Sequence, residues 1–462
     1  FAVGKIDRAY LILGDLEISF IRIKNRKKNF LFDLLHLCSK TITDYLKYFS
    51  NYSLKHKTYL KYKLEEIYCG LHVLSEALRS DYKSYGSIFH CRLGILTALY
   101  KLHSSLEEYK EIIIPKDVTL YVAGPAQTYI YGFLSRFLSD KGASFIDTSD
   151  PQLPFFEREL KEKFFSQLVT SPIKKNNILI NKKIISKYYE YRIDKPWDAF
   201  IYMNYLKDIY TSNRGSLNLQ GVCVIVYLHS FTDAQYFYGY DGYDDLMDWS
   251  FKTISILNEN DHVSKVFVKP HPGINPVYHP GDVIANKYLK SKVSNFKKVE
   301  WTDFHFDVNN ISSSGLVVGV THHGSIAEEL VYKNFPVIAS TYSPWGNKYN
   351  FGYFWSSLDE YKAIISTKLI TELVVTKKQL EELYRYAFDK HLSINSNTSF
   401  DIDSTWQDLL QIYGVKISYE HGEDMESINK LVSKIEPEDS KFKKYIATRL
   451  NRINSLNVHM SH

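Results

Sequence analysis

Gly315–Ser340, GLVVGVTHHGSIAEELVYKNFPVIAS, is the segment around which the chain is organised. It contains an apolar run at Leu316–Val320, a polar turn at Thr321–Ser325, a helix-forming segment at Ile326–Lys333 and a second apolar run at Pro336–Ala339. Short apolar runs of this kind are typical of buried parallel strands. The pattern therefore predicts a strand, a turn, a helix and a second strand.

The polar turn of this unit has two interpretations. In open α/β sheets, ligands bind beyond the carboxyl ends of the strands, and a helix N-terminus favours an anion. Gly324 would let a phosphate approach the backbone, Ser325 would donate a hydrogen bond, and Glu328 or Glu329 would accept from ribose hydroxyls. The turn is therefore either a nucleotide-phosphate site or the polar turn of an ordinary βαβ unit.

The composition indicates a folded protein of two or three domains. The chain has 462 residues, of which 45% are hydrophobic and 24% are charged. Its net charge of +5 is compatible with an anionic substrate or a membrane surface, but it does not indicate nucleic-acid binding. The four cysteines lie far apart without metal-binding spacing, which favours a reducing compartment. Neither a membrane-spanning run nor a signal peptide is visible, so we expect a cytoplasmic protein.

Three polar segments follow apolar strands in the second half of the chain. His229–Asp233 follows the run Val222–Leu228, Lys269–Pro272 follows Val263–Val268, and Thr321–Ser325 follows the third strand. In a parallel sheet the carboxyl ends of these strands meet at one edge, so we expect the three segments to lie together.

Two residues of these segments suit catalysis. His271 lies between Pro270 and Pro272, which fix the backbone on both sides. Its imidazole would bind a phosphate or assist a leaving group, unless it is a histidine in a rigid turn. Asp233 would deprotonate an acceptor hydroxyl, attack an anomeric carbon, or cap a helix. The nearby acidic residues are expected at the surface or in helix caps: Asp241, Asp244 and Asp245.

The sequence lacks the common motifs of several enzyme classes. His322-His323 is not a zinc signature, and there is no HExxH, paired CxxC or EF-hand loop, so we expect no metal site. Metal binding by the aspartates at 241, 244 and 245 is the alternative, but their spacing is not diagnostic. The absence of GxSxG, Walker A and GxGxxG motifs argues against hydrolases, P-loop ATPases and dinucleotide oxidoreductases.

The N-terminal part predicts a Rossmann-like layer with additional helices. A strand and a turn are expected at Ala9–Ile18, and helices at Phe30–Phe49, Leu60–Arg79 and Gly86–Leu106. A complete βαβ unit is predicted between Lys116 and Ile146.

The domain boundaries follow from composition. Thr211–Gly221 is polar and glycine-bearing, so it is the best linker candidate. We expect an N-terminal domain at 1–215, a second α/β domain at 216–410 and a helical extension at 411–462. Within the extension, the basic amphipathic segment Phe442–Leu456 either packs on the body or contacts a membrane surface or a partner.

Several stretches resemble GT-B glycosyltransferases of bacterial capsule and surface-carbohydrate biosynthesis, including the retaining β-Kdo transferases. They are HSFTDAQYFYG (His229–Gly239), DDLMDWSFKTI (Asp244–Ile254), VFVKPHP (Val266–Pro272), THHGSIAEELVYKNFPVIA (Thr321–Ala339) and NFGYFWSSLDEY (Asn350–Tyr361). The resemblance covers residues 222–361 and implies an α/β GT-B fold, with two Rossmann-like domains facing a cleft.

The resemblance also implies roles for matched residues. His271 would meet the donor phosphate, and Asp233 would be the catalytic carboxylate, a nucleophile in a retaining enzyme or a base in an inverting one. The candidate donor-binding residues are Lys269, His323, Gly324, Ser325, Glu328 and Glu329. Asp15 and Gln127 are the candidates for acceptor binding.

The resemblance implies no cofactor, with a nucleotide-sugar as co-substrate and a CMP-sugar favoured. A histidine, a serine and a helix N-terminus would replace the cation at the leaving phosphate, so such an enzyme would be metal-independent. The expected partners are the donor and a glycan or lipid-linked glycan acceptor, without nucleic acid. The expected location is cytoplasmic and peripheral at the inner face of the membrane.

The expected function is transfer of a sugar, such as Kdo from CMP-Kdo, to a growing capsule or lipopolysaccharide glycan. One alternative is a polyol-phosphate transferase of the CDP-glycerol type, because such enzymes also combine GT-B folds with paired histidines. Another alternative is an inactive GT-B module that binds glycan or organises an assembly complex.

Overall fold

The computed structural model describes most of the two α/β regions of the chain. The described residues are 9–14, 17–22, 30–80, 91–110, 119–124, 129–141, 144–147, 156–157, 182–194, 215–232, 235–236, 238–272, 274, 280–303, 305–346 and 348–387. They fall into two compact units, one drawn from positions 1–76 and 95–166, the other from positions 77–94 and 167–393.

The N-terminal elements form a mixed sheet with helices. In chain order they are β1 (Ala9–Gly14), β2 (Glu17–Arg22), α1 (Phe30–Asp44), a π-helical turn (Tyr45–Phe49), α2 (Asn51–Lys55), a 3-10 turn (Thr58–Lys61), β3 (Lys63–Leu64), β4 (Ile67–Tyr68), α3 (Gly70–Ser80), α4 (Arg92–Lys110), β5 (Thr119–Gly124), α5 (Tyr129–Asp140), β6 (Ser144–Asp147) and β7 (Phe156–Glu157). The sheet order is β2-β1-β5-β6-β7. Only β5 and β6 pair in parallel, whereas the other neighbours are antiparallel.

This sheet confirms one prediction and departs from another. The predicted βαβ unit is present as β5, α5 and β6. A purely parallel Rossmann-like layer is not what the described strands form, because the β1–β2 hairpin and the short β7 add antiparallel pairs on either side.

The helix predicted at Leu60–Arg79 begins ten residues later, at Gly70. The first half of that segment is the β3–β4 hairpin. Its turn residues Glu65 and Glu66 both have left-handed backbone angles, with φ of 49° and 62°. Two such residues in succession make the tight turn that joins antiparallel strands, and they interrupt a helix. The tertiary fold here overrides the helical spacing of the apolar side chains.

The second unit contains a wholly parallel sheet. Its elements are α6 (Lys182–Asp194), β8 (Leu217–Leu219), β9 (Cys223–Tyr227), α7 (Leu246–Glu259), β10 (Lys265–Lys269), α8 (Pro280–Val293), β11 (Val299–Trp301), a 3-10 turn (Val308–Asn310), β12 (Ile311–Ser313), β13 (Val317–Val320), α9 (Ile326–Tyr332), β14 (Val337–Ser340), β15 (Tyr353–Trp355), α10 (Leu358–Ser366), a 3-10 turn (Lys368–Glu372) and α11 (Lys377–Ala387). The six-stranded sheet has the order β11-β10-β9-β13-β14-β15. Each neighbouring pair is parallel.

Counted along the chain from β9, this order is 3-2-1-4-5-6, the order of doubly wound nucleotide-binding sheets. The apolar runs chosen from the sequence are the central strands, and every residue of β9, β13 and β14 is buried. Strands that are apolar on both faces need cover on both faces. The prediction of a parallel α/β sheet in this part of the chain is confirmed.

Helices supply that cover. Side chains of α6, α9 and α11 share one core with alternate residues of the strands, such as Ile225 and Phe267. On the opposite face α7 packs on β9 and β10 and contacts α10. Gly319 allows α9 to lie close to the sheet, because a Cβ atom there would come within 2.4 Å of the Leu330 side chain.

Candidate functional site

Three polar segments meet at the carboxyl edge of the six-stranded sheet. β9 lies between β10 and β13, parallel to both. The segments that begin at His229, Pro270 and Thr321 therefore leave the sheet on the same side, as predicted. β9 and β13 are also the strands between which the strand order reverses, which is the position where doubly wound sheets bind ligands.

Hydrogen bonds join the paired histidines of the β13 turn to a carboxylate. Nε2 of His322 is hydrogen-bonded to Oδ2 of Asp241, and its Nδ1 lies 2.7 Å from Nδ1 of His323. The other oxygen of Asp241 accepts the backbone N–H of Tyr243 at 3.0 Å. Asp241 is thus fixed by its own turn, and it orients His322, which orients His323.

The expectation that Asp241 lies at the surface is wrong. Its side chain is 8% exposed and it is paired with His322, from which it is separated by 81 positions in the chain. Asp245, by contrast, caps α7 as predicted, because its carboxylate accepts the backbone N–H of Asp248 at 2.7 Å. Local sequence shows a cap, but it does not show a partner brought in from another strand.

His229 holds the backbone of the same turn. Its Nε2 accepts the backbone N–H of His323 at 3.2 Å and lies 3.2 Å from the hydroxyl of Thr321. A nitrogen that accepts an N–H carries no proton, so His229 is the neutral tautomer protonated at Nδ1. Burial lowers the pKa of His229 well below its ordinary value, and the charges of His322 and His271 lower it further.

His323 is held neutral in the same way. Burial lowers its pKa well below the ordinary value, with further lowering by His229, His322 and His271. Because His271 acts on both His229 and His323, the structure brings it to the same edge. These four residues, His229, His271, His322 and His323, are called the histidine cluster below.

Aromatic rings enclose the cluster. The ring of His322 lies 5.5 Å from that of Trp249 and 5.8 Å from that of Trp355, edge to face with both. The rings of His229 and His323 lie 4.1 Å apart. Large buried rings leave an imidazole few alternative orientations, so the two hydrogen bonds of His322 are rigidly placed.

A cleft adjoins the cluster. Its lining residues are Gln235, Tyr236, Tyr238, Gly239, Asp241, Tyr243, Asp245, Leu246, His322, His323 and Tyr342. Aromatic walls with a few polar groups are the kind of lining that small-ligand sites have.

Gly324 is required by close packing rather than by backbone angles. A Cβ atom at this position would lie 2.7 Å from Oγ1 of Thr321 and 3.3 Å from Cε1 of His229. The glycine therefore lets the β13 turn close over the His229 ring.

Asp282 anchors the segment that follows β9, a role that the sequence did not reveal. It is 1% exposed and accepts the hydroxyl of Ser230 at 2.6 Å. It also accepts the backbone N–H groups of Phe231 and Thr232 at 2.7 and 2.9 Å. The only local signal is an aspartate in the first turn of α8.

Two predicted ribose-binding residues point toward α6 instead. Glu328 is fully buried and accepts the hydroxyl of Tyr189 at 3.2 Å. Glu329 accepts Nε of Arg192 at 3.1 Å, and the same guanidinium lies 3.7 Å from Glu328. Arg192 lies more than a hundred residues earlier in the chain, so sequence spacing did not indicate this pairing.

Lys269 is also turned into the interior. It is 7% exposed, and its ammonium donates to the backbone carbonyl of Phe306. The ammonium lies 4.3 Å from the centre of the Phe306 ring. Burial lowers the pKa of Lys269 to about 8, against the opposing influence of Glu329 and Asp307.

Of the remaining candidate residues, one lies within the described part of the chain and the others do not. Ser325 is exposed at the start of the seven-residue helix α9, and its side chain makes no capping hydrogen bond. Asp233, Asp15 and Gln127, as well as the extension at 411–462, lie outside the described residues.

Within the described residues, no group of three or more potential metal ligands is present, and no helix is long and apolar enough to cross a membrane.

Comparison with known proteins gives no relative: no family model matches the chain, and neither a curated protein nor a solved structure is significantly similar to it.

Proposed function

We propose that this chain is a glycosyltransferase that takes a sugar from a nucleotide-activated donor and attaches it to a hydroxyl group of a glycan. The observation that carries the proposal is the strand order 3-2-1-4-5-6 with the histidine cluster at its reversal point. That crevice is where doubly wound sheets hold nucleotides. A fold supports many functions, so the polar groups at the edge have to supply the chemical argument.

Those groups suit the departure of a phosphate. The proposed role of His271 is to meet the donor phosphate from a segment held by Pro270 and Pro272. Neutral imidazoles and backbone N–H groups can stabilise charge on a leaving phosphate without a cation. The proposed reaction is therefore independent of metal, and it continues in the presence of EDTA.

The sequence resemblance narrows the donor and the acceptor. A CMP-activated sugar such as CMP-Kdo is the first donor to test, and a capsule or lipopolysaccharide glycan is the first acceptor. In this proposal Asp233 is the catalytic carboxylate, Gly324 and Ser325 bind the donor, and Asp15 and Gln127 bind the acceptor. The enzyme would act on a lipid-linked glycan at the inner face of the membrane.

The test is release of free nucleotide by the full chain from a panel of CMP-Kdo, CMP-sialic acid, CDP-glycerol and UDP-sugars. We expect turnover of one donor, unchanged by EDTA and strongly reduced in His271→Gln. His262→Gln is the matched control, because His262 is exposed on the loop before β10. If none of the donors is bound or turned over, the proposal is wrong and a binding or scaffold module becomes the better account.

A second candidate is polyol-phosphate transfer from a CDP-glycerol-type donor. The observation that favours it is the directly hydrogen-bonded pair of His322 and His323, since paired histidines are the feature shared with that class. The product separates the two reactions. Sugar transfer leaves no phosphate in the new linkage, whereas polyol transfer places one phosphate in it, which ³¹P NMR of the purified product detects.

A further inference from the structure

The hydrogen-bond chain from Asp241 ends at a ring nitrogen that has no partner. Nε2 of His323 is buried and makes no hydrogen bond to any described residue. The His323 ring nevertheless lines the cleft, and the edge of Tyr238 lies beside it with ring centres 5.3 Å apart. A buried polar atom without a partner costs free energy unless a ligand or a water pairs with it.

The proton positions along this chain follow from its donors and acceptors. The carboxylate of Asp241 only accepts, so Nε2 of His322 carries a proton. One proton lies between the two Nδ1 atoms that are 2.7 Å apart. In the neutral state that proton belongs to His323, because His322 already carries one on Nε2. Nε2 of His323 is then a free lone pair.

We propose that Nε2 of His323 is the general base that takes the proton of the acceptor hydroxyl, with His322 and Asp241 as positioning residues, and that the transfer inverts the anomeric configuration. This inference rests on the proposed function. It assigns the base to His323 in place of Asp233 and adds two supporting residues and the stereochemistry.

The step balances without a further reactant. The acceptor O–H bond breaks and its oxygen forms a bond to the anomeric carbon. The bond from that carbon to the donor phosphate breaks, and the electron pair leaves on the phosphate. The hydroxyl proton passes to Nε2 of His323, and the Nδ1 proton of His323 shifts to Nδ1 of His322. The positive charge then resides on His322, beside the carboxylate of Asp241.

The surroundings favour this path for the proton. Nε2 of His229 accepts the backbone N–H of His323 and so fixes the turn that carries the base. Trp249 and Trp355 exclude water from the His322 ring on two sides, which strengthens its interaction with Asp241. A single base acting on the acceptor suits a single displacement, which inverts the configuration. A retaining double displacement needs a carboxylate nucleophile instead.

The experiment uses the full chain with the donor that the panel identifies. His323→Gln is expected to lower acceptor-dependent transfer by about 10²- to 10⁴-fold, while donor binding measured by calorimetry changes little. Imidazole added to His323→Ala is expected to restore part of the rate. Nucleotide release in His262→Gln, the exposed control, is expected to match the wild type.

Asp241→Asn tests the positioning role. Removal of the negative charge weakens the base, so the rate falls by about 10²-fold and the acidic limb of the pH–rate profile moves to lower pH. A residue that serves only the fold would lower the amount of active enzyme and leave the limb in place. Thermal unfolding of each variant identifies any that fail to fold, and ¹⁵N shifts of the wild-type imidazoles test the shared proton directly.

The outcomes separate this inference from the proposed function. Inverted product, rescue by imidazole and a shifted acidic limb support it. If a donor is turned over but the product retains its configuration, or His323→Gln stays fully active, the inference is overturned while the transferase proposal stands. A glycosyl adduct on Asp233 would also overturn it. If no donor is bound or turned over, both are wrong.

Discussion

Two networks of this chain pair a carboxylate with a buried histidine, and they differ in what surrounds the pair. In the N-terminal unit, Asp44 lies 3.0 Å from Nε2 of His103 and accepts the hydroxyl of Tyr62 at 2.8 Å. The Tyr62 hydroxyl also lies 3.3 Å from His103, so the three groups form a closed triangle. In the second unit, Asp241, His322 and His323 form an open chain.

Both networks leave one ring nitrogen without a hydrogen bond to a described residue: Nδ1 of His103 and Nε2 of His323. An unpartnered nitrogen therefore does not by itself identify a site. His103 is 1% exposed and linked to residues of α1 and the hairpin region, whereas His323 borders a cleft at the reversal point of a parallel sheet. Position in the fold is therefore the basis on which we propose a reactive role for His323 and a structural role for His103.

The largest expected effect on stability is that of His103→Ala. The substitution leaves a cavity between helices and removes a partner of the partly buried Asp44, so we expect a loss of roughly 2–5 kcal/mol. Urea unfolding followed by circular dichroism measures it. The specific transfer rate of the folded variant should match the wild type. A selective loss of activity would contradict a purely structural role for His103.

Asp282→Ala should cause the next largest loss of stability. It removes the acceptor of two buried backbone N–H groups, and we expect a loss of roughly 2–3 kcal/mol together with weaker donor binding. Asp282→Asn keeps one acceptor oxygen and is the matched variant, with an expected loss nearer roughly 1 kcal/mol. Equal losses for the two variants would show that the loop after β9 does not depend on these hydrogen bonds.

Gly324→Ala should cost roughly 1–3 kcal/mol, because the added methyl group overpacks the contact with Thr321 and His229. We also expect slower transfer, because the His323 backbone is displaced with the turn. Calorimetric melting and transfer assays measure the two effects. An alanine at this position with wild-type rate and stability would contradict the close packing.

The smallest expected effect is a pH dependence of the stability that the closed triangle of Asp44, His103 and Tyr62 contributes. Burial raises the pKa of Asp44, but the hydrogen bonds from His103 and Tyr62 outweigh it and lower that pKa below its ordinary 3.8. The ionised carboxylate therefore stabilises the fold above that value, and this contribution is lost as the pH falls toward the folded-state pKa. Urea midpoints of wild type and Asp44→Asn should converge on acidification, and a constant difference would contradict this assignment.

Much of the second unit could be predicted from sequence because its strands are continuous apolar runs. The strands predicted at Val222–Leu228 and Leu316–Val320 are confirmed as β9 and β13, and each end agrees within one residue. Their parallel pairing follows from the intervening helices, and with it the meeting of the three polar segments. Burial on both faces leaves a strong signal in a single sequence.

The parts that could not be predicted are contacts between distant positions. The partner of His322 is Asp241, and the partners of Glu328 and Glu329 are Tyr189 and Arg192, all brought in by other elements. Local patterns cannot distinguish a glutamate that faces a ligand from one that faces a buried arginine. The N-terminal hairpin at Glu65 and Glu66 was missed for a related reason, since its backbone angles depend on tertiary packing.

The proposed function requires that a nucleotide-activated donor binds at the carboxyl edge of the parallel sheet. Hydrogen–deuterium exchange of the full chain, with and without each nucleotide of the donor panel, tests it most directly. We expect slower exchange with one nucleotide in peptides that cover residues 228–232, 269–272 and 321–325. Protection elsewhere, with these three segments unchanged by a nucleotide that binds, would contradict donor binding at this edge.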